Sequence, residues 1–123
     1  MMTQQILIVE NDPNWHQMLD EVSANLGYTT CQAGLAKEAL QVLRETDIAL
    51  ILLDIKLPGI KGHQLLQQLR KIKIAVPVIV VAGYLTPEVV EILIDSRIQG
   101  IIVKSEFRVR RLADTISTAL EGD

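Results

Sequence analysis

Five short apolar runs alternate with five segments whose apolar residues recur at helical spacing, and that alternation leaves few architectures open. Ile6-Leu7-Ile8-Val9 anchors a strand expected over residues 5–10, and Tyr28 to Cys31 supplies a second. Ala49-Leu50-Ile51-Leu52-Leu53-Asp54 is the third, Pro77 to Ala82 the fourth and Gly100 to Val103 the fifth. Runs that are apolar at consecutive rather than alternate positions belong to strands buried on both faces. Between them, helical stripes run through Trp15, Met18, Leu19, Val22 and Leu26, then through Ala36, Ala39, Leu40 and Leu43. The third helix carries Leu65, Leu66, Leu69 and Ile72, the fourth Val89, Val90, Leu93 and Ile94, and the fifth Val109, Leu112, Ala113, Ile116 and Leu120. Strand–helix repeats with short links predict a parallel sheet covered by helices on both faces.

Local signals sharpen the boundaries. Asp12 is placed as the N-cap of the first helix, with Pro13 at its first position. Gly27 is expected to end that helix as a left-handed cap. Thr86-Pro87-Glu88 has the same cap-then-proline form before the fourth helix.

Composition then closes several routes to function. At 123 residues the chain reads as one domain over residues 1–123, large enough for one substantial core. No apolar run nears the ~20 residues of a membrane helix, because Asp54, Gly83 and Gly100 interrupt every candidate. The start, Met1-Met2-Thr3-Gln4-Gln5, has no basic flank or long apolar stretch, so no signal peptide is expected. A lone cysteine, Cys31, excludes an internal disulfide and fits a reducing, cytoplasmic setting. A net charge of -3 gives no general reason for nucleic-acid binding.

The chemistry gathers where strands end. Asp54 closes an unbroken apolar run, so its carboxylate should emerge at the carboxyl edge of the sheet, where open α/β folds bind ligands. A Leu57-Pro58-Gly59 turn follows almost at once, and Glu10-Asn11-Asp12 ends the first run. Two such ends side by side bring together oxygen ligands suited to a hard divalent cation. His16 and His63 read as surface residues and Trp15 as core or pocket-rim packing. Arg97, Lys104, Arg108, Arg110 and Arg111 make the last third locally basic, which reads first as a solvated helix face.

The chain resembles the receiver domain of bacterial two-component response regulators. The resemblance rests on Ile6-Leu7-Ile8-Val9-Glu10-Asn11-Asp12-Pro13 and on Leu50-Ile51-Leu52-Leu53-Asp54-Ile55-Lys56-Leu57-Pro58-Gly59-Ile60-Lys61-Gly62. Pro77 to Ala82 and Gly100-Ile101-Ile102-Val103-Lys104 complete it. It implies a flavodoxin-like, doubly wound five-stranded parallel sheet of order 2-1-3-4-5 with five helices. It also implies that Asp54 accepts a phosphoryl group from a histidine kinase or phosphotransfer protein. Mg²⁺ would then sit on Glu10, Asn11, Asp54 and the backbone carbonyl of Lys56, and Lys104 would pair with phosphoryl oxygens. A homodimer or partner contact through the fourth helix, fifth strand and fifth helix is a further implication.

Departures from the family pattern matter as much. Asn11 stands where the family usually has a second acid, so a cation should bind more weakly. Ala82 replaces the usual threonine or serine at the end of the fourth strand. A hydrogen bond from that hydroxyl to a charged group is worth roughly 1.5–3 kcal/mol, or about 10- to 100-fold in the bias between two states. Ile101 replaces a tyrosine or phenylalanine that swings inward on activation. Ser105 replaces the proline after the lysine, and a trans Lys104–Ser105 bond is expected, since a cis bond there costs about 3–4 kcal/mol.

Two classes of function stay open. Asp54, Lys104 and Glu10 favour a phosphoacceptor with an altered output switch, not a dedicated enzyme. Asn11, Ala82 and Ile101 favour a phosphorylation-independent pseudo-receiver that binds a protein partner. Binding of a nucleotide or flavin is the weakest reading, because Glu10-Asn11-Asp12 would repel a phosphate unless a cation intervened. Direct nucleic-acid binding is not expected, since no recognition-helix unit is present.

Overall fold

Apolar runs and helical stripes fold as their spacing requires. A computed structural model describes residues 4–57, 59 and 61–121; Pro58 and Ile60 of the turn motif lie outside the described residues. The strands are β1 (Gln5–Val9), β2 (Thr29–Ala33), β3 (Leu50–Asp54), β4 (Val78–Ala82) and β5 (Gly100–Val103). The helices are α1 (Pro13–Asn25), α2 (Ala36–Glu45), α3 (Gly62–Lys71), α4 (Pro87–Asp95) and α5 (Val109–Glu121). One sheet has the order β2-β1-β3-β4-β5, and every pairing is parallel. The all-parallel sheet is the one expected from the alternation, and its order is the one the resemblance implies.

Side chains alternate across the sheet and divide the core in two. Leu7, Val9, Ile51, Leu53, Val78 and Val80 face one side, packed against Ala36, Ala39, Leu65, Leu66, Leu69 and Leu93 from α2, α3 and α4. Ile6, Ile8, Leu50, Leu52, Ile79 and Val81 face the other, against Leu19, Val22, Leu112 and Ile116 from α1 and α5. Strands covered on both faces need no polar positions, which is why β1, β3 and β4 read as continuous apolar runs. As an edge strand β2 is half-exposed, and it runs from Thr29 to Ala33 rather than from Tyr28 to Cys31.

Three residues assigned to helical stripes are exposed. Ile72 is 57% exposed because α3 ends at Lys71 and leaves it as the cap residue. Ile94 is 67% exposed in the last turn of the short α4, whose buried contact is Leu93. Val109 opens α5 ahead of the turn that reaches the sheet, and it is 55% exposed. Arg70 closes the opposite end of the sheet. Its guanidinium donates to the carbonyls of Ser96, Ile74 and Val76 at 2.9, 2.8 and 3.0 Å.

The caps form as expected. Asp12 Oδ1 accepts from the Asn14 and Trp15 amides at 2.8 and 3.3 Å, and Thr86 Oγ1 accepts from the Val89 amide at 3.2 Å. Gly27 follows the cap of α1 at φ +95°, a left-handed conformation that glycine adopts without steric cost. No cis peptide bond occurs among the described residues, so Lys104–Ser105 is trans. It lies within a short 3₁₀ turn, Lys104–Glu106, which sequence spacing did not reveal.

Candidate functional site

The parallel sheet delivers three strand ends to one edge. Glu10 directly follows β1, Asp54 closes β3, and Lys104 directly follows β5. Because β1 pairs with β3 at Val9–Leu53, the two acids emerge side by side. Lys104 reaches them from beyond β4, and its stem crosses Gly83, where a Cβ would come 4.0 Å from its Cδ. A second glycine sets the far wall. At Gly62 a Cβ would stand 2.3 Å from the Asp54 carbonyl oxygen and 2.8 Å from Ile55 Cα, so α3 can begin against the end of β3 only without a side chain.

Within this frame the ammonium is shared unevenly. Lys104 Nζ donates to Glu10 Oε1 at 2.8 Å and lies 3.6 Å from Asp54 Oδ2. The remaining oxygen of each acid accepts from a backbone amide, Glu10 Oε2 from Asn11 at 3.2 Å and Asp54 Oδ1 from Lys56 at 3.0 Å. Two nearly buried carboxylates therefore face one ammonium. Burial, and then the Asp54 carboxyl beside it, push Glu10 up to about 7 from 4.5 against the opposing pull of Lys104. Two nearly buried carboxylates that share one ammonium are a donor set suited to a hard divalent cation.

Above the acids lies an open cleft of about 1160 Å³, walled by Asn11, Asp12, Lys56, Tyr84, Thr86 and Lys104 among others. Asp54 reaches this cleft although it is only 5% exposed. Asn11 lines the cleft but turns its amide nitrogen toward the Gly34 carbonyl at 3.5 Å. Asp12 caps α1 and is exposed, so it does not join the acidic pair. Among the described residues no three His, Cys, Asp or Glu side chains gather as a metal-ligand cluster. A cation held here would therefore draw on Glu10, Asp54 and neutral oxygens.

Ala82 ends β4 with no exposed surface and offers no hydroxyl. Ile101 is half-buried and packs with the core on the α2–α4 face. Lys104 leaves the basic set proposed for the last third, while Arg97, Arg108, Arg110 and Arg111 remain exposed. The surface assignment of the two histidines needs correction. His16 and His63 are half-buried, with His16 Nε2 and His63 Nδ1 enclosed and without a hydrogen-bond partner among the described residues. Sequence reasoning also missed the surroundings of the lysine: Trp15 lies beneath its ammonium, and Thr86 is part of the cleft wall. Only the cap signature of Thr86 was visible in the sequence.

Residues 6–117 match the response regulator receiver domain family. The chain belongs to that family. Sporulation initiation phosphotransferase F of Bacillus subtilis is 34% identical over 84 residues, which is 68% of each chain. The probable C4-dicarboxylate response regulator DctR of the same species is 28% identical over 113 residues, 90% of this chain but 50% of that protein. A crystallised CheY-like receiver domain protein from Methanospirillum hungatei superposes with a TM-score of 0.90 at 28% identity, covering 98% of this chain and 95% of that one. Five helices around a sheet of order 2-1-3-4-5 are thus the receiver fold, and no helix among the described residues is long and apolar enough to cross a membrane.

Proposed function

We propose that the chain is a phosphoacceptor in a two-component relay, with Asp54 as the group that takes the phosphate. One observation carries this reading: Asp54 lines the cleft with its Oδ2 3.6 Å from the Lys104 ammonium, whose short bond goes to Glu10. The Lys56 amide donates to Oδ1, which orients the carboxylate. In the proposed step an Asp54 oxygen bonds to phosphorus as the phosphorus–nitrogen bond of a donor phosphohistidine breaks, and the imidazole, which carries a proton on its other ring nitrogen, takes the bonding pair and leaves neutral. Mg²⁺, held by Glu10, Asp54, the Asn11 amide oxygen and the Lys56 carbonyl, would supply the charge neutralisation that an anion needs to approach an anion. Lys104 then shifts its short contact from Glu10 to the new phosphoryl oxygens.

The donor is a histidine kinase or phosphotransfer protein, and the setting is the cytoplasm. Output differs from the usual switch, because Ala82 has no side-chain hydroxyl to donate to a phosphoryl group and Ile101 has no aromatic ring to swing inward. Partners or a second copy would meet the face formed by α4, β5 and α5, where Ile94 and Val109 are exposed. Those same departures favour the second reading, a pseudo-receiver that binds its partner whatever the state of Asp54. Incubation with a small phosphodonor and Mg²⁺, followed by intact mass, separates the two. The phosphoacceptor gains one phosphoryl group, and Asp54→Ala does not. No gain at saturating Mg²⁺ sinks the first reading and leaves the second.

A further inference from the structure

Trp15 plays no part in phosphate transfer as described, yet it touches the residue on which that transfer depends. Its indole lies under Lys104, with Nζ 5.1 Å from the ring centroid. Phe107 stands edge-on to the same indole, centroids 5.1 Å apart at 90°. Both rings are fixed through their backbones. Asp12 Oδ1 accepts from the Trp15 amide at 3.3 Å, and the Phe107 amide donates to the Lys104 carbonyl at 3.3 Å. The turn that carries the ammonium therefore also carries the ring that braces the indole.

A lysine ammonium on a flexible four-carbon stem is a mobile point charge. Glu10 fixes one of its donors at 2.8 Å, while the contact to Asp54 at 3.6 Å is too long to fix another. The indole face attracts a cation without demanding a direction, so it confines the ammonium while allowing it to slide. The geometry points to Trp15, braced by Phe107, as the positioning residue that holds the Lys104 ammonium between Glu10 and Asp54 and registers its displacement. The holding half stands on the contacts alone; the displacement half rests on the phosphoacceptor reading. When Asp54 gains a phosphoryl group, Lys104 moves toward it and off the indole, and Phe107 carries the change to the start of α5. That route uses neither Ala82 nor Ile101.

Trp15 is the only tryptophan in the chain, so its emission reports this site alone. In the first arm, emission of the intact protein is compared with that of Lys104→Gln. Loss of the ammonium changes intensity and wavelength; identical spectra overturn the holding role. In the second arm, phosphorylation by phosphoramidate with Mg²⁺ is timed in the wild type, Trp15→Phe, Trp15→Leu and Phe107→Leu. Trp15→Leu is expected to be about 3- to 10-fold slower, and Trp15→Phe to keep about half or more of the wild-type rate, since it retains an aromatic face. A Leu variant as fast as the wild type overturns the proposal, and so does a Phe variant as slow as Leu, which would mark packing alone. If Trp15→Leu loses its far-ultraviolet helical signal, Phe107→Leu decides: a slowed rate supports the brace and an unchanged rate overturns it. Phosphorylation that leaves wild-type emission unchanged overturns the displacement half while the phosphoacceptor reading stands. A wild type that takes up no phosphate sinks that reading instead, and the first arm alone then settles the holding role.

Discussion

Charge imbalance at three side chains explains most of the behaviour expected of the cleft. Glu10 and Asp54 share one ammonium, and Glu10 is buried deeply enough to stay protonated up to about 7. Below pH 4.5 Glu10 carries its proton in both folded and unfolded chains, whereas between 4.5 and about 7 only the folded chain keeps it. Folding is then coupled to proton uptake, so stability declines as pH rises across that interval and levels off above it. In metal-free buffer the urea midpoint of the wild type should fall over this range, and that of Glu10→Gln should stay nearly flat; equal declines in both would contradict the assignment. Asn11→Asp adds a third carboxylate and is expected to tighten Mg²⁺ binding by about tenfold, measured by calorimetric titration. Unchanged affinity would remove residue 11 from the metal site. Gly62→Ala drives a Cβ into the Asp54 carbonyl and should destabilise the fold by about 1–3 kcal/mol while slowing phosphoryl uptake. A variant as stable as the wild type would show that α3 can shift away from β3.

Elements differ in how openly the sequence declares them, and the reason is burial. The central strands β1, β3 and β4 are covered on both faces, so each appears as an apolar run within a residue of its observed span. The exposed edge strand β2, Thr-Thr-Cys-Gln-Ala, carries no such run, and its boundaries could not be read. Helical stripes identified every helix but overstated the core at Ile72, Ile94 and Val109, because periodicity cannot tell where a helix leaves the sheet. Arg70 shows a contribution that no spacing signals: one side chain satisfies two carbonyls of the link between α3 and β4 and one at the cap of α4. Arg70→Ala should therefore cost about 2–4 kcal/mol by denaturant unfolding, far beyond the roughly 0.5 kcal/mol of an ordinary surface change. A loss within that surface range would make the three bonds incidental.

At the scale of the whole molecule, a site forms because parallel topology sends β1, β3 and β5 to a common edge. The acids were legible because each stands at the end of a strand, and strand ends in such sheets converge, whereas the lysine was marked by the family resemblance. Their preferences were not legible. That Lys104 favours Glu10 over Asp54, and rests on Trp15, depends on contacts between distant parts of the chain. Asp54 is left oriented, backed by a cation and open to the cleft, and the account depends on its reactivity. Borohydride reduction after exposure to phosphodonor and Mg²⁺ tests this most directly, since it converts an aspartyl phosphate to homoserine that peptide mapping can place. Homoserine is expected at position 54, dependent on Mg²⁺ and on the donor; homoserine elsewhere, or none, would rule out Asp54 as the acceptor.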